Sequence, residues 1–196
     1  MVIGGQAVLL YGEPRLTRDI DITLGIGVEE IERVKSVVSS LKLKPLVSDP
    51  DSFAKETMVF PVSDKPSGIR VDFIFSFSPY ERQAIGRARP IRLGKSMVKF
   101  ASIEDVIIHK MLAGRPRDIE DIESIMLINV GIDAQYVEKW LGEFDSSLER
   151  RTLSAFRSLV AGLRRPFMDS VKKGLSDAKA GRVIGSATLK KKLGKK

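Results

Sequence analysis

Apolar and polar positions along the chain change period several times, and each change marks an element. The stretch Gly5 to Tyr11 is short and apolar, follows a Gly-Gly pair and stops before Gly12 and Pro14, which predicts a short helix. Asp19-Ile-Asp-Ile-Thr-Leu24 alternates polar and apolar residues, the period of extended backbone, and predicts a strand. From Val28 to Leu43, Ile31, Val34, Val38 and Leu41 recur at helical spacing until Pro45 stops them. Thr57 to Val62 and Ile69 to Phe75 read as two strands joined by the turn cluster Ser63 to Gly68, hence an antiparallel hairpin. Pro61 has no N–H to give a neighbour, so the first of these strands is expected at a sheet edge.

Beyond a short helix near Tyr80 to Ile85 and strand-like pieces at Ala88 to Leu93 and Met97 to Phe100, the pattern is helical to about Ala180. Ser102 with Asp105 forms a capping pair ahead of a helix over Ile103 to Ala113, and Pro116 suits the first turn of a helix running to Ile128. Further helices are expected at Asp133 to Gly142, Ser146 to Leu163 and Pro166 to Ala180. The resulting expectation is an α+β protein: an α/β core over 1–100, a helical region over 101–180 that completes the site, and a basic flexible tail over 181–196.

Composition narrows the chemistry. At 196 residues, 43% apolar and 30% charged, the chain has the make-up of one globular domain or one with a small appendage. No apolar run approaches the roughly 18 to 20 residues that cross a bilayer, and the start lacks the basic n-region and cleavage site of a secretory leader, so a cytoplasmic protein with no membrane partner is expected. The absence of cysteine removes disulfides, thiolate nucleophiles and Cys-ligated zinc. The single histidine, His109, falls off the apolar stripe of its helix and reads as a surface residue. Trp140, Phe73, Phe75 and Phe156 read as core, and Gly25-Ile-Gly27 as a turn. Catalysis would therefore rest on carboxylates, Lys/Arg, hydroxyls and backbone.

The formal charge of +8 is unevenly placed. Residues 1–150 carry 20 Lys/Arg against 23 Asp/Glu, whereas 151–196 carry 13 against 2, so the whole excess lies in the C-terminal quarter. There Arg164-Arg165, Lys172-Lys173, Lys190 to Lys192 and Lys195-Lys196 form clusters that suit phosphate backbones and equally suit a solubilising tail.

Two acids, Asp19 and Asp21, stand two apart in a predicted strand and share one face. Like charges so placed repel unless a cation bridges them, and Mg²⁺ favours a few carboxylate oxygens together with substrate phosphates. A third acid, Asp72, interrupts the apolar strand Val71 to Phe75. Three acids on neighbouring strands could hold two metals, one at the attacking hydroxyl and one at the leaving phosphate; solvated strand acids are the plain alternative. Upstream, Gly4-Gly5 bares backbone N–H groups ahead of a helix, with Arg15, Thr17 and Arg18 in the turn before Asp19, an assembly of phosphate donors.

These residues resemble the nucleotidyltransferase superfamily, whose first motif is hydrophobic-Gly-Gly/Ser followed by Asp-x-Asp: here Ile3-Gly4-Gly5 and Asp19-Ile20-Asp21, with Asp72 as the third acid. In the next part of the chain, Lys110 sits amid the apolar stripe Ile103, Val106, Ile107, and Asp118 and Asp121 share a side with Ile122 and Ile125. Lysine is rarely buried alone, so either a structural Lys110–Asp118 ion pair or a phosphate contact by Lys110, oriented by Asp118, is expected. The block Lys110 to Asp121 resembles the Lys…Arg-x-Lys/Arg-Asp-x-x-Asp motif of the AbiEii-like branch, the abortive-infection and toxin-antitoxin (MenT-like) enzymes. The likeness spans about residues 3–128, and the motif begins at the third residue, without the helix that usually precedes it.

The resemblance implies a polymerase-β-like fold with a small mixed sheet and a C-terminal helical bundle. It also implies transfer of a nucleoside monophosphate from an NTP to a hydroxyl of RNA (such as tRNA) or protein, with Mg²⁺ or Mn²⁺ as cofactor and an antitoxin as cognate partner. Asp19, Asp21 and Asp72 would hold metal, Lys110 and Asp118 would join them in catalysis, and Gly4, Gly5, Arg15, Thr17 and Lys110 would bind the nucleotide. Two alternatives stay open. Asp19-Ile-Asp-Ile-Thr23 also fits the Asp-x-Asp-x-Thr of haloacid dehalogenase-type phosphatases, although Arg15-Leu-Thr-Arg18 precedes it where that family has an apolar strand. A non-catalytic module that binds nucleic acid or an antitoxin through the basic C-terminus is the other.

Overall fold

The computed structural model describes residues 1–76 and 78–181, with side chains for all of these except 164–172. Its elements in chain order are β1 (Val2–Ile3), α1 (Gly4–Val8), β2 (Asp19–Thr23), a 3-10 turn (Val28–Glu30) leading into α2 (Ile31–Ser40), β3 (Lys44–Pro45), α3 (Pro50–Thr57), β4 (Val59–Ser63) and β5 (Arg70–Ile74). There follow α4 (Pro79–Arg87), β6 (Arg89–Leu93), β7 (Ser96–Phe100), α5 (Ile103–Ala113), α6 (Pro116–Ile128), α7 (Ala134–Leu148) and α8 (Thr152–Lys179). Met1–Leu153 form one compact unit and the chain from Ser154 belongs to a second.

Seven strands form one mixed sheet in the order β3-β4-β5-β2-β1-β7-β6. β2 runs parallel to β5 and antiparallel to β1, β1 runs parallel to β7, and β4–β5 and β6–β7 are antiparallel hairpins. Alternation then sorts the side chains. Ile20 and Ile22 of β2 register with Val71 and Phe73 of β5, which in turn register with Val62 and Phe60 of β4. These residues pack against Ile31, Val34 and Val38 of α2 and Ala54 of α3 in one core. The acidic positions of β2 and β5 are thereby forced onto the opposite face.

Local chemistry accounts for the helix ends. Ser78 and Glu81 form a reciprocal capping box for α4 with Pro79 in its first turn. The Asp105 backbone N–H donates to Ser102 Oγ at the start of α5, which stops at Gly114 in the left-handed conformation (φ +65°). Asp49 accepts from the Ser52 N–H and, with Pro50, starts α3.

Several expectations are corrected. Pro61 does not place β4 at the edge, because the short β3 lies outside it; beyond the pairs with Val62 and Ser63, the Leu46 N–H donates to the Pro61 carbonyl at 3.0 Å, so the proline joins this side as an acceptor only. Gly142 does not end its helix: α7 continues to Leu148 and closes with Glu149 in the left-handed region (φ +51°). The two helices expected after it are one, α8, which passes through position 166. His109 is half-buried, not a freely exposed surface residue. Its Nε2 is buried, its ring lies 5.6 Å from that of Tyr80, and burial pushes its pKa down. Trp140, Phe73, Phe75 and Phe156 are buried as expected. The side chains of Arg164, Arg165 and Lys172, and the residues from 182 on with their lysine clusters, lie outside the described part. Among the described residues no helix is long and apolar enough to cross a membrane.

Candidate active site

The β2–β5 register carries the site. Parallel pairing sets Asp19 opposite Arg70 and Asp21 opposite Asp72, while antiparallel pairing with β1 sets Ile3 opposite Asp21. The three predicted acids therefore share one sheet face on adjacent strands, immediately beside the β1–α1 junction. They line a cleft of about 480 Å³ together with Gly4, Gly5 and Arg15. Its other wall comes from α5 and α6, with Lys110, Asp118 and the α6 N-terminal arginines Arg115 and Arg117.

Gly4 has φ +63°, and a Cβ built on it would stand 1.9 Å from Asp21 Oδ2. A Cβ on Gly5 would meet Thr17 Oγ1 at 2.6 Å. Gly4 is thus fixed both by its backbone conformation and by the closeness of Asp21, whereas a side chain at Gly5 would press on the Thr17 hydroxyl. Burial pushes the Asp21 carboxyl above the usual carboxylate range, and the neighbouring Asp19 and Asp72 add to it, with Lys110 and Arg115 opposing. Thr17 Oγ1 donates to Asp19 Oδ1 at 2.8 Å, so its hydroxyl orients a carboxylate. Asp72 Oδ1 accepts from Arg70 Nε at 2.8 Å.

On the other wall Lys110 is buried, with Nζ 2.6 Å from Asp118 Oδ1 and 2.8 Å from Asp121 Oδ2. Asp118 is held doubly, since Arg115 Nε also donates to its Oδ2 at 2.7 Å. Burial opposes ionisation of Asp118, but the hydrogen bonds from Arg115 and Lys110 prevail and hold its pKa down. Arg15 grips Asp121 through Nε at 2.8 Å and Nη2 at 2.9 Å, tying the 13–18 loop to α6.

Each residue expected at the site therefore stands in the cleft or, for Thr17, against it. Three further cations, Arg70, Arg115 and Arg117, line the cleft beyond the expected site residues. Arg70 was legible by parity, standing two residues before Asp72 on the same strand face. The phosphatase alternative needs a strand leading into the first aspartate, and β2 begins at Asp19 itself, with a loop before it.

The donor set suits a divalent cation. Two or three carboxylates sit in mutual repulsion, one of them with a raised pKa, beside a turn kept free of side chains. Among the described residues no group of three or more His, Cys, Asp or Glu side chains is placed to hold a metal ion, in keeping with Asp72 being turned to Arg70.

Residues 81–162 match the family model described as "Nucleotidyltransferase of unknown function (DUF6036)". That stretch contains Lys110, Asp118 and Asp121 and leaves out the β2 and β5 acids. Solved structures similar to this chain include an antigenic nucleotidyltransferase-like protein from Paracoccidioides brasiliensis, at 18% identity over 79% of this chain and 81% of that one, with a TM-score of 0.45. Another is the antibiotic-resistance factor ANT(2'')-Ia, at 18% identity over 86% of each chain and a TM-score of 0.46. No curated protein matches.

Proposed function

We propose that this chain is a metal-dependent nucleotidyltransferase that moves a nucleoside monophosphate from an NTP to a hydroxyl acceptor, RNA or protein, and that it belongs to the AbiEii-like, toxin-type branch. The observation that carries the reading is the register of Asp19 and Asp21 with Asp72 beside a turn where Gly4 has no room for a side chain. The family match over 81–162 supports it from the other wall of the cleft.

In this reading Asp19 and Asp21, with Asp72 beside them, would hold Mg²⁺ or Mn²⁺ with the NTP, and the cation would supply charge neutralisation of the phosphates. The bare backbone at Gly4 and Gly5 admits the triphosphate. Lys110 spends two of its three N–H donors on Asp118 and Asp121, leaving one for a phosphate oxygen, while Asp118 fixes its direction. Arg115 and Arg117 face the same cleft and share that work. Arg15 is committed to Asp121 and positions the loop. Asp72 accepts the proton of the acceptor hydroxyl. The acceptor oxygen bonds to the α-phosphorus as the bond to the β-phosphate oxygen breaks, and pyrophosphate leaves. Catalysis is mostly positioning and charge balance.

Incubation with each α-labelled NTP, Mg²⁺ and total RNA or protein tests this directly. The native chain should place label on one acceptor class, and Asp19→Ala or Asp21→Ala should lose at least 100-fold of it with an unchanged melting curve. Undiminished transfer in either variant would remove the assignment, and salt-sensitive RNA binding without any transfer would favour the idle binding module.

A further inference from the structure

The unit Met1–Leu153 is acidic on balance, yet it contains a ribbon of uncompensated positive charge. Between Glu81 and Glu104 the sequence has no acid at all, and β6, its turn and β7 carry Arg89, Arg92, Lys95 and Lys99. Elsewhere in this unit arginines and lysines are commonly paired: Arg15 with Asp121, Arg70 with Asp72, Arg87 with Glu104, Lys110 with Asp118. Arg92, Lys95 and Lys99 are exposed, and Arg92 Nε donates to the Gly94 carbonyl within its own turn at 3.2 Å.

Strand parity settles which way this charge faces. Val2 pairs with Ile22 and with Phe100, so Phe100 shares the face of the isoleucines of β2, and Lys99 takes the other face. Across the hairpin Lys99 pairs with Pro90 and Arg92 with Met97, which puts Arg92 and Lys99 on one side as diagonal neighbours about 7–8 Å apart. That side is the face that carries Asp19, Asp21 and Asp72. β7 lies two strand spacings from β2 and β6 three, roughly 10 and 15 Å across the sheet.

We infer that the β6–β7 hairpin is a phosphate-backbone rest for a nucleic-acid strand, which crosses the carboxylate-bearing face of the sheet and so brings a terminal hydroxyl to the cleft. Charge complementarity identifies the occupant. The ribbon offers spaced cations without a carboxylate partner among the described residues, and its exposed apolar side chains, Met97 beside the cations and Leu93 on the opposite face, stand singly and form no pocket. It can therefore read the backbone without reading bases, and it lacks the clustered aromatic anchors on which a protein interface depends. Cations and Pro90 also guard an exposed sheet edge against self-pairing, a role that predicts a different phenotype. The binding half of the inference stands without the nucleotidyl-transfer reading; only the delivery of an acceptor hydroxyl rests on it.

The test uses the full chain, with neither NTP nor metal, and a fluorescent 20-nucleotide oligouridylate followed by anisotropy across a salt series. Arg92→Ala/Lys95→Ala/Lys99→Ala should weaken binding at least tenfold at low salt. It should also make the slope of log affinity against log salt shallower by about 2, at roughly 0.7 per single-strand phosphate contact. An oligodeoxythymidylate of equal length should lose affinity in parallel, as expected of backbone recognition. Because all three residues are exposed, an unchanged melting curve is expected, and the charge-reversed Lys95→Glu/Lys99→Glu should weaken binding further. Unchanged affinity and slope in both variants would overturn the inference, as would self-association as the sole defect, or poly-glutamate binding as tightly as RNA and losing as much. Asp19→Asn should bind RNA like the native chain, so a failure of the transfer reading would show as absent label with this binding intact.

Discussion

At the scale of single residues, Gly4 is the most constrained position in the cleft. An L-residue at φ +63° costs about 1–2 kcal/mol, and its Cβ would occupy space held by Asp21 Oδ2. Gly4→Ala is therefore expected to lower nucleotide transfer at least 100-fold while reducing the melting temperature by only a few degrees, as measured by labelled-NTP turnover and thermal unfolding of the same preparation. A variant with native turnover would show that the turn can withdraw from Asp21. Much at this scale was legible from type and spacing. Asp19 and Asp21 had to share a face, and Lys110 inside an apolar stripe had to find an acid. Which acid each cation chose was not legible: Lys110 took Asp121 as well as Asp118, and Arg15 turned from the expected phosphate to Asp121. Such pairings depend on where α6 docks, and no local pattern encodes that. His109 misled for a similar reason, since the ring of Tyr80 that covers it comes from another helix.

At the scale of elements, the two residues of β1 join the halves of the sheet, with β2 on one side and β7 on the other. Two residues are too few to show a period, which is why this strand was not foreseen. α3 escaped for a related reason: its start is written in Asp49 and Pro50, but Phe53 and Ala54 are its only apolar positions. α5 and α6 were legible almost to the residue, and α2 was legible in kind though three residues shorter at each end than its apolar period suggested. Ile3 is buried, registers with Asp21 and adjoins Gly4. Ile3→Ala should cost about 2–5 kcal/mol in denaturant unfolding and reduce transfer through the shifted turn. A loss below about 1 kcal/mol would mean that the sheet holds without this side chain.

At the scale of the whole molecule, stability should respond to pH through the buried imidazole. Burial lowers the His109 pKa from its ordinary 6.5, with Asp105 and Glu81 opposing, so the unfolded chain takes up the proton first as pH falls. Its contribution is nil above the unfolded value. Below that value the native state loses up to about 1.4 kcal/mol per pH unit until the folded group itself titrates. Comparing native chain with His109→Gln between pH 7.5 and 5.5 by chemical denaturation isolates this, because the carboxylates common to both cancel. The native chain should lose stability more steeply on acidification, and equal slopes would show that the ring protonates in place. The charge map shows the limit of reading by segment. Residues 1–150 are acidic on balance, yet strand pairing gathers onto one face cations that the sequence dilutes among acids elsewhere.

The cleft draws its two walls from stretches far apart in chain order, Gly4 to Asp72 on one side and Lys110 to Asp118 on the other. A polypeptide emerging from the ribosome can therefore assemble the acid-bearing strands while the opposing helices are still untranslated. Whatever reaction the finished groove performs stays silent in the nascent chain, and a message truncated before the codons for Lys110 to Asp118 yields product without activity.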